Sequence, residues 1–238
     1  MFYMANQPSL KISVIIPVFN EEKKLGSLLR YLQQEADRVN LQEIIVVDGG
    51  SHDRTLQIAS EFDVVLLHSG KGRARQMNYG ARYASGDILY FLHADTLPPK
   101  KFGTHIVEAV KSNTQAGCFR MQFESASPFL KFFAWFTRLN YLLCRGGDQS
   151  LFITTRIFRD AKGFNEAYTI YEDVEFIGRL YKITAFQVLP WRVRTSARRY
   201  KKTGMVKLQY HFGMIHLKNF MGEGPDQLYD YYKRNIST

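Results

Sequence analysis

Cysteine is almost missing from this chain: Cys118 and Cys144 are the only two. Neither their number nor their spacing fits a metal knuckle or a disulfide framework, so two structural thiols in a reducing compartment are expected. Long apolar runs are missing as well. The most lipid-like stretch, residues 129–143, is rich in Phe, Trp, Tyr and Leu, but Lys131 and Arg138 interrupt it and Arg145 bounds it. A spanning helix needs roughly 20 mostly apolar residues, so this stretch is not one. Residues 1–11 lack an apolar core followed by a small-residue cleavage site, so no signal peptide is expected and a cytoplasmic location is. Internal repeats and low-complexity tracts are also lacking. Acid is the scarcer charge: 22 Asp and Glu face 32 Lys and Arg, a formal net charge of +10. That balance favours anionic partners, whether nucleotide phosphates, an acidic membrane surface or nucleic acid, and does not choose among them.

What is present is 238 residues, 45% of them hydrophobic and 14% aromatic, enough for one sizeable core and too little chain for two full domains. Residues 11–18 form a β-branched apolar run, and Leu25, Leu28, Leu29, Leu32 and Ala36 give helical spacing over residues 21–39. Residues 43–48 repeat the buried-strand pattern, Gly49 to Ser51 turn, and Thr55, Leu56, Ile58 and Ala59 lie in a second helix. A strand over 62–67 leads through Gly70 and Gly72 into a helix over 73–84, and the Ser85-Gly86 turn feeds a strand over 87–93. Continuous apolar strands alternating with helices imply parallel pairing, because both faces of such a sheet are covered. The predicted class is α/β: a Rossmann-like, mostly parallel mixed sheet flanked by helices over residues 1–193, with a basic helical extension of the same domain over residues 194–238. The second half predicts a helix over 98–111, strands over 116–123, 149–153 and 185–193, a helix over 171–181 and two C-terminal helices.

Ligands of open parallel sheets bind beyond the carboxyl ends of the strands, so the loops after Val18, Val47, Leu67 and Leu92 hold the candidates. In Pro17-Val18-Phe19-Asn20-Glu21-Glu22 an aromatic ring and a carboxylate stand where a base and ribose could sit, or Asn20 caps a helix whose dipole the glutamates complement. Asp48 could accept the imide N–H of a uracil base, or bond its own turn. Asp53 has the same choice between nucleotide and helix N-terminus. Gly70-Lys71-Gly72-Arg73-Ala74-Arg75 partly imitates a dinucleotide fingerprint, but Arg75 stands where the third glycine belongs. That argues against a nicotinamide dehydrogenase and leaves a basic helix start able to meet phosphate, or a solvated turn. Asp95 in Phe91-Leu92-His93-Ala94-Asp95-Thr96 could reach a hard divalent cation bridging two phosphates, or be a polar loop residue. Tyr171-Glu172-Asp173-Val174-Glu175 opens a helix, where adjacent side chains diverge by about 100°, so one of Glu172 and Asp173 faces a reacting atom and the other supports it.

In this order the segments resemble the family 2 glycosyltransferases. The carriers are Val14-Ile15-Ile16-Pro17-Val18-Phe19-Asn20-Glu21-Glu22, Val46-Val47-Asp48-Gly49-Gly50-Ser51-His52-Asp53-Arg54-Thr55, Ala84-Ser85-Gly86-Asp87 through Asp95, and Tyr171-Glu172-Asp173. The tail Ser196-Ala197-Arg198-Arg199-Tyr200 resembles a short bacterial subgroup associated with radical-SAM gene clusters. The resemblance implies a GT-A fold, a nucleoside-diphosphate sugar donor such as UDP- or GDP-sugar, Mg²⁺ or Mn²⁺, and inversion at the anomeric carbon. It implies nucleotide contacts from Pro17, Phe19, Glu21, Asp48 and Asp53, joined by Arg75 from the basic helix start. It also implies a metal-binding acid at Asp95 and a general base at Asp173. Asp148, in Gly147-Asp148-Gln149, is implied on the acceptor side, and Arg198 and Arg199 are candidates for the diphosphate. Two positions depart from the family pattern: His93 stands for the first acid of Asp-X-Asp and is expected to be structural, and Gly49 replaces an acid of the turn after the second strand.

Residues 129–143 are expected to form a core helix, an acceptor wall or a peripheral membrane surface at the inner face. Two other functions compete for the same residues. A basic nucleic-acid module using residues 192–207 lacks any recognised motif, so no nucleic-acid partner is expected. A nucleotidyltransferase making sugar nucleotides would share the sheet, but Glu172-Asp173 supports it less.

Overall fold

A computed structural model describes residues 9–35 and 40–236. In chain order the elements are β1 (Ile12–Val18), α1 (Leu25–Glu35), β2 (Leu41–Asp48), α2 (Thr55–Ser60), β3 (Val65–His68), α3 (Arg73–Tyr83), β4 (Ile88–Phe91), β5 (Thr96–Leu97) and α4 (Phe102–Lys111). They continue with β6 (Ala116–Phe123), α5 (Pro128–Phe136), β7 (Leu151–Thr154), α6 (Thr155–Asp160), α7 (Glu172–Ile183), β8 (Phe186–Thr195), α8 (Arg198–Thr203), α9 (Met205–Phe220) and α10 (Pro225–Asn235). The end of the helix predicted over 21–39, including Ala36, lies outside the described residues.

The sheet runs β3-β2-β1-β4-β7-β6-β8-β5. Pairings β1–β2, β1–β4, β2–β3 and β6–β8 are parallel, while β4–β7, β6–β7 and β5–β8 are antiparallel. This is the mixed α/β sheet expected. Every residue of β1 is buried, as a strand covered on both faces must be. The chain winds outward from β1 to β3 and then returns to lay β4 on the other side of β1. Strand order therefore reverses between β1 and β4, and the crevice beyond their carboxyl ends is where such sheets bind ligands.

One apolar cluster lies under α1 and α4, including Leu25, Leu28, Leu29, Phe102 and Ile106. A second lies on the other face under α3 and α7, including Met77, Phe176, Ile177 and Leu180. Helix α3 sits hard against the sheet because of Gly80, where an added Cβ would lie 2.7 Å from Ile15 Cγ2 and 2.9 Å from Val47 Cγ2. A third cluster joins Phe123 and Leu130 to Tyr200, Leu208, Ile215 and Leu228 of the last three helices. The sequence predicted two helices there. Gly204, at φ +93, separates α8 from α9 and makes three. The stretch 129–143 is not the core helix that was one of its expectations: in α5 only Leu130 is fully buried. Among the described residues no helix is long and apolar enough to cross a membrane.

Candidate active site

Gln76 anchors the floor of the crevice. Its Nε2 donates to the carbonyls of Val18 and Val47, 2.8 Å each, and so ties the ends of β1 and β2 to α3. The β1 loop is then laced to the loop before α2. Ser51 Oγ accepts from Asn20 N at 2.9 Å, Thr55 Oγ1 accepts from Glu21 N at 2.8 Å, and Asn20 Oδ1 accepts from His52 N at 2.8 Å. Asp48 and Asp53 belong to this lacing. Asp48 Oδ2 accepts from Gly50 N at 2.8 Å and Ser51 N at 3.0 Å, and its side chain is buried. Asp53 accepts from Thr55 N at 2.9 Å and Glu22 N at 3.2 Å. Neither lines the cleft, and both do the turn and helix-start duties that were their alternatives. Gly50, at φ +90, permits the tight turn after Asp48.

Above this floor opens a cleft of about 1500 Å³. Typical small-molecule sites hold roughly 300–1,000 Å³, so there is room for two substrates. Pro17, Phe19, Glu21, Arg75, Asp95, Asp148, Asp173, Arg198 and Arg199 all line it, drawn from β1 and the loop after it, α3, the loop after β4, the segment before β7, α7 and α8. Lys71 Nζ lies 4.0 Å from the centre of the Phe19 ring, a cation on an aromatic face. Arg198 reaches within 3.7 Å of Glu21, so the C-terminal extension touches the β1 loop. Burial raises the Glu21 carboxyl pKa against the pull of Arg198, and its Oε2 is buried without a partner.

At the far side three acids, Asp148, Glu172 and Asp173, surround His93 and Arg73. His93 Nδ1 lies 3.8 Å from Asp148 Oδ1 and its Nε2 lies 3.9 Å from Asp173 Oδ2. Burial alone would lower the imidazole pKa, but the two carboxylates outweigh burial and Arg73, and the net direction is up. Burial raises the Asp173 carboxyl above the usual carboxylate range, opposed by His93 and Arg73 and helped by Asp148. Glu172 points the other way along α7, to Arg73 Nη1 at 3.5 Å, as the divergence of adjacent helical positions requires. Its Oε2 is buried and unpartnered. Burial, then the Asp173 charge, push the Glu172 carboxyl up to about 7, with Arg73 opposing.

That pKa has a stability consequence. Below its ordinary value of 4.5 the Glu172 carboxyl is neutral in both folded and unfolded chains, and as pH rises through about 7 its folded-state advantage is lost. Glu172→Gln is neutral at every pH. It is therefore expected to exceed wild type above pH 7 by on the order of 3 kcal/mol, from a rise of 4.5 to about 7, with no gain near pH 4.5. Melting curves across that range check this, and equal melting temperatures at pH 8 would refute it.

Sequence reading passed over three residues here. Gln76 is signalled by a polar side chain on the apolar stripe Ala74, Met77 and Gly80 of α3. Gly147 carries no such signal: an added Cβ would lie 2.0 Å from Asp173 Oδ2 and 2.8 Å from His93 Cε1, which only folding reveals. Tyr171 precedes the acids at φ +70, and its hydroxyl meets His216 Nδ1 at 2.8 Å.

A divalent cation would find Asp95 as a hard donor facing the cleft. Among the described residues no group of three or more His, Cys, Asp and Glu is placed to hold a metal unaided. The donor set fits Mg²⁺ or Mn²⁺ in the manner of sites that use one or two carboxylates and complete the shell with substrate phosphates and water.

Residues 13–165 match the model of "Glycosyl transferase family 2". The chain belongs to that family. Among curated relatives, this family 2 chain is 40% identical over 107 residues to 4,4'-diaponeurosporenoate glycosyltransferase of Staphylococcus haemolyticus, covering 42% of the chain and 27% of the relative. It is 32% identical over 111 residues to dolichol-phosphate mannosyltransferase of Pyrococcus furiosus, covering 44% and 31%. The chain thus spans about a third or less of the length of these relatives. Among solved structures, the mannosyltransferase PcManGT of Pyrobaculum calidifontis, in complex with GDP-Man and Mn²⁺, superposes with a TM-score of 0.69 at 17% identity, over 94% of this chain and 70% of that one. S. aureus TarS 1-349 in complex with UDP-GlcNAc gives 0.64 at 22% identity, over 79% and 58%. These likenesses establish the GT-A-type fold of the family 2 chain.

Proposed function

We propose that this protein is an inverting glycosyltransferase that moves a sugar from a nucleoside-diphosphate donor to an acceptor hydroxyl. The observation that carries the reading is the meeting, in one cleft at the β1/β4 switch point, of a buried aspartate with a raised pKa, Asp173, and a phosphate-facing side built from Asp95, Arg75 and Arg198. Family membership and the solved neighbours with bound nucleotide sugars support it.

Phe19 offers the face for the base, with Lys71 displaced from it, and Glu21 offers an unpartnered carboxylate oxygen to the ribose. Arg75, Arg198 and Arg199 meet the diphosphate, where negative charge grows as the leaving group departs. Asp95 would hold Mg²⁺ or Mn²⁺, which when bound neutralises that same charge. Asp173, ionised and on the opposite wall, takes the acceptor's proton as the acceptor oxygen attacks the anomeric carbon. Attack opposite the leaving diphosphate inverts the centre. Asp148 and His93 hold Asp173 from the side, and the unpaired Glu172 Oε2 is left to accept from a hydroxyl.

A thermal-shift panel of UDP- and GDP-sugars with and without Mn²⁺ tests the reading. A bound donor at 100 times its Kd stabilises by about 2.7 kcal/mol. Because one carboxylate cannot hold the cation alone, Mn²⁺ without nucleotide is expected to leave the melting temperature unchanged, and the two together to raise it most. Asp95→Asn should abolish the Mn²⁺ increment. A silent panel with every donor would overturn the assignment.

A further inference from the structure

Many of the apolar side chains that fail to reach the core lie on one helix and near it. On α9, Val206, Tyr210, Gly213, Leu217 and Phe220 follow one another at spacings of four, three, four and three, which is a single helical stripe. All five positions are exposed, while Leu208 and Ile215 on the opposite face are buried in the third core cluster. Helix α9 thus has two apolar faces and spends one on the fold. Leu217 is 47% exposed, Phe220 87% and the neighbouring Met221 72%. On α5 Phe132 is 59% exposed and Trp135 48%, and Leu143 beyond it 75%. Leu143, Leu217 and Phe220 also line the cleft, so the apolar rim surrounds the entrance to the acids rather than lying elsewhere on the molecule.

The stretches of chain that carry this rim are poor in acid. From residue 176 to residue 222 the chain has ten Lys and Arg and no Asp or Glu, and from residue 125 to residue 147 it has three and none. Acid returns at Glu223, which pairs with Lys218 at 2.7 Å. Arg138 lies over the Trp135 ring at 4.6 Å, and Lys131, Lys201, Lys202 and Lys207 are exposed. A second copy seated twofold on the stripe would set these basic flanks against each other and close both clefts. An anionic bilayer answers both features, since acyl chains accept the apolar stripe and headgroup phosphates accept the cations.

We propose that the exposed stripe of α9, together with Phe132, Trp135 and Leu143, docks this protein on an anionic membrane with the cleft opening toward the lipid surface. The full chain should then float with phosphatidylglycerol-rich vesicles, much less with pure phosphatidylcholine, and high salt should weaken the association. Leu217→Asp/Phe220→Asp changes only exposed positions and should lower vesicle affinity by about tenfold or more per side chain removed from lipid. Because Leu217 and Phe220 edge the cleft, Val206→Asp/Tyr210→Asp, farther along the same stripe, gives an independent reading and should lower it as well. In a Trp191→Phe background, Trp135 is the remaining tryptophan and its emission should shift to the blue on anionic vesicles alone. Four results would overturn the proposal: no flotation of the wild-type chain, equal binding to neutral vesicles, wild-type binding by both stripe variants, or dimerisation through the stripe in place of flotation. Flotation requires neither donor nor turnover, so it can fail while the transfer reading stands.

Discussion

Asp173→Asn should bind the nucleotide donor as wild type does and transfer sugar about 10²–10⁴-fold more slowly. The substitution keeps the side chain's size and its place beside His93 while removing the only function the reaction asks of it, an ionised oxygen able to take a proton. Donor affinity should hold because the proposed phosphate-facing side is made by other residues. The same carboxyl sets the acidic limb of activity. Its pKa is raised, chiefly by burial, so kcat/KM should begin to fall at a pH well above the ordinary aspartate value of 3.8. Single-turnover rates and donor melting shifts, measured together, separate chemistry from binding. Near wild-type transfer by the asparagine variant would remove Asp173 from the role.

Gly147→Ala should lower kcat by on the order of 10²-fold, since misplacing a catalytic group by about 1 Å costs that much. One methyl group at residue 147 would stand 2.0 Å from Asp173 Oδ2, inside any van der Waals contact, so the carboxylate must rotate away from His93 or the Gly147–Gln149 turn must lift. Either movement displaces the acceptor-side wall. Gly146→Ala is the matched control, because an added Cβ there meets nothing within 4 Å and its φ of −171° suits any residue. Its rate should stay close to wild type. Equal rates for both variants would mean that the packing of residue 147 against Asp173 is immaterial.

How far the sequence could be read follows from how each segment is buried. Strand β6 was expected over residues 116–123 and runs Ala116–Phe123, and α3 was expected over 73–84 and runs Arg73–Tyr83, because β6 opens on a buried run and α3 keeps Ala74, Met77 and Gly80 on one buried stripe. The short α6, Thr155–Asp160, escaped because six residues hold too little periodicity. Strand β8 continues to Thr195, beyond the expected 193, through Pro190 at an irregular register with β6. In the site, carboxylates at strand ends were legible as types, but their partners were not. Asp48 and Asp95 follow similar apolar strands, yet the Gly50 turn folds backbone N–H groups onto Asp48 while Asp95 faces the cleft. The pairing of His93 with Asp148 and Asp173 spans residues far apart in the chain, which no local pattern encodes. The aromatic stretch misled for a related reason: composition marks Phe and Trp as core, and only the packed structure shows Phe132 and Trp135 on the outside.

Tyr171 sits directly before the two acids in a left-handed backbone conformation that costs a non-glycine residue roughly 1–2 kcal/mol. What holds it is the hydroxyl's bond to His216, one residue before Leu217 on α9. The start of α7 and helix α9 are therefore pinned together by that bond. Any force that tilts α9 arrives at Asp173 through a bond and two peptide units, with no loop between to absorb it.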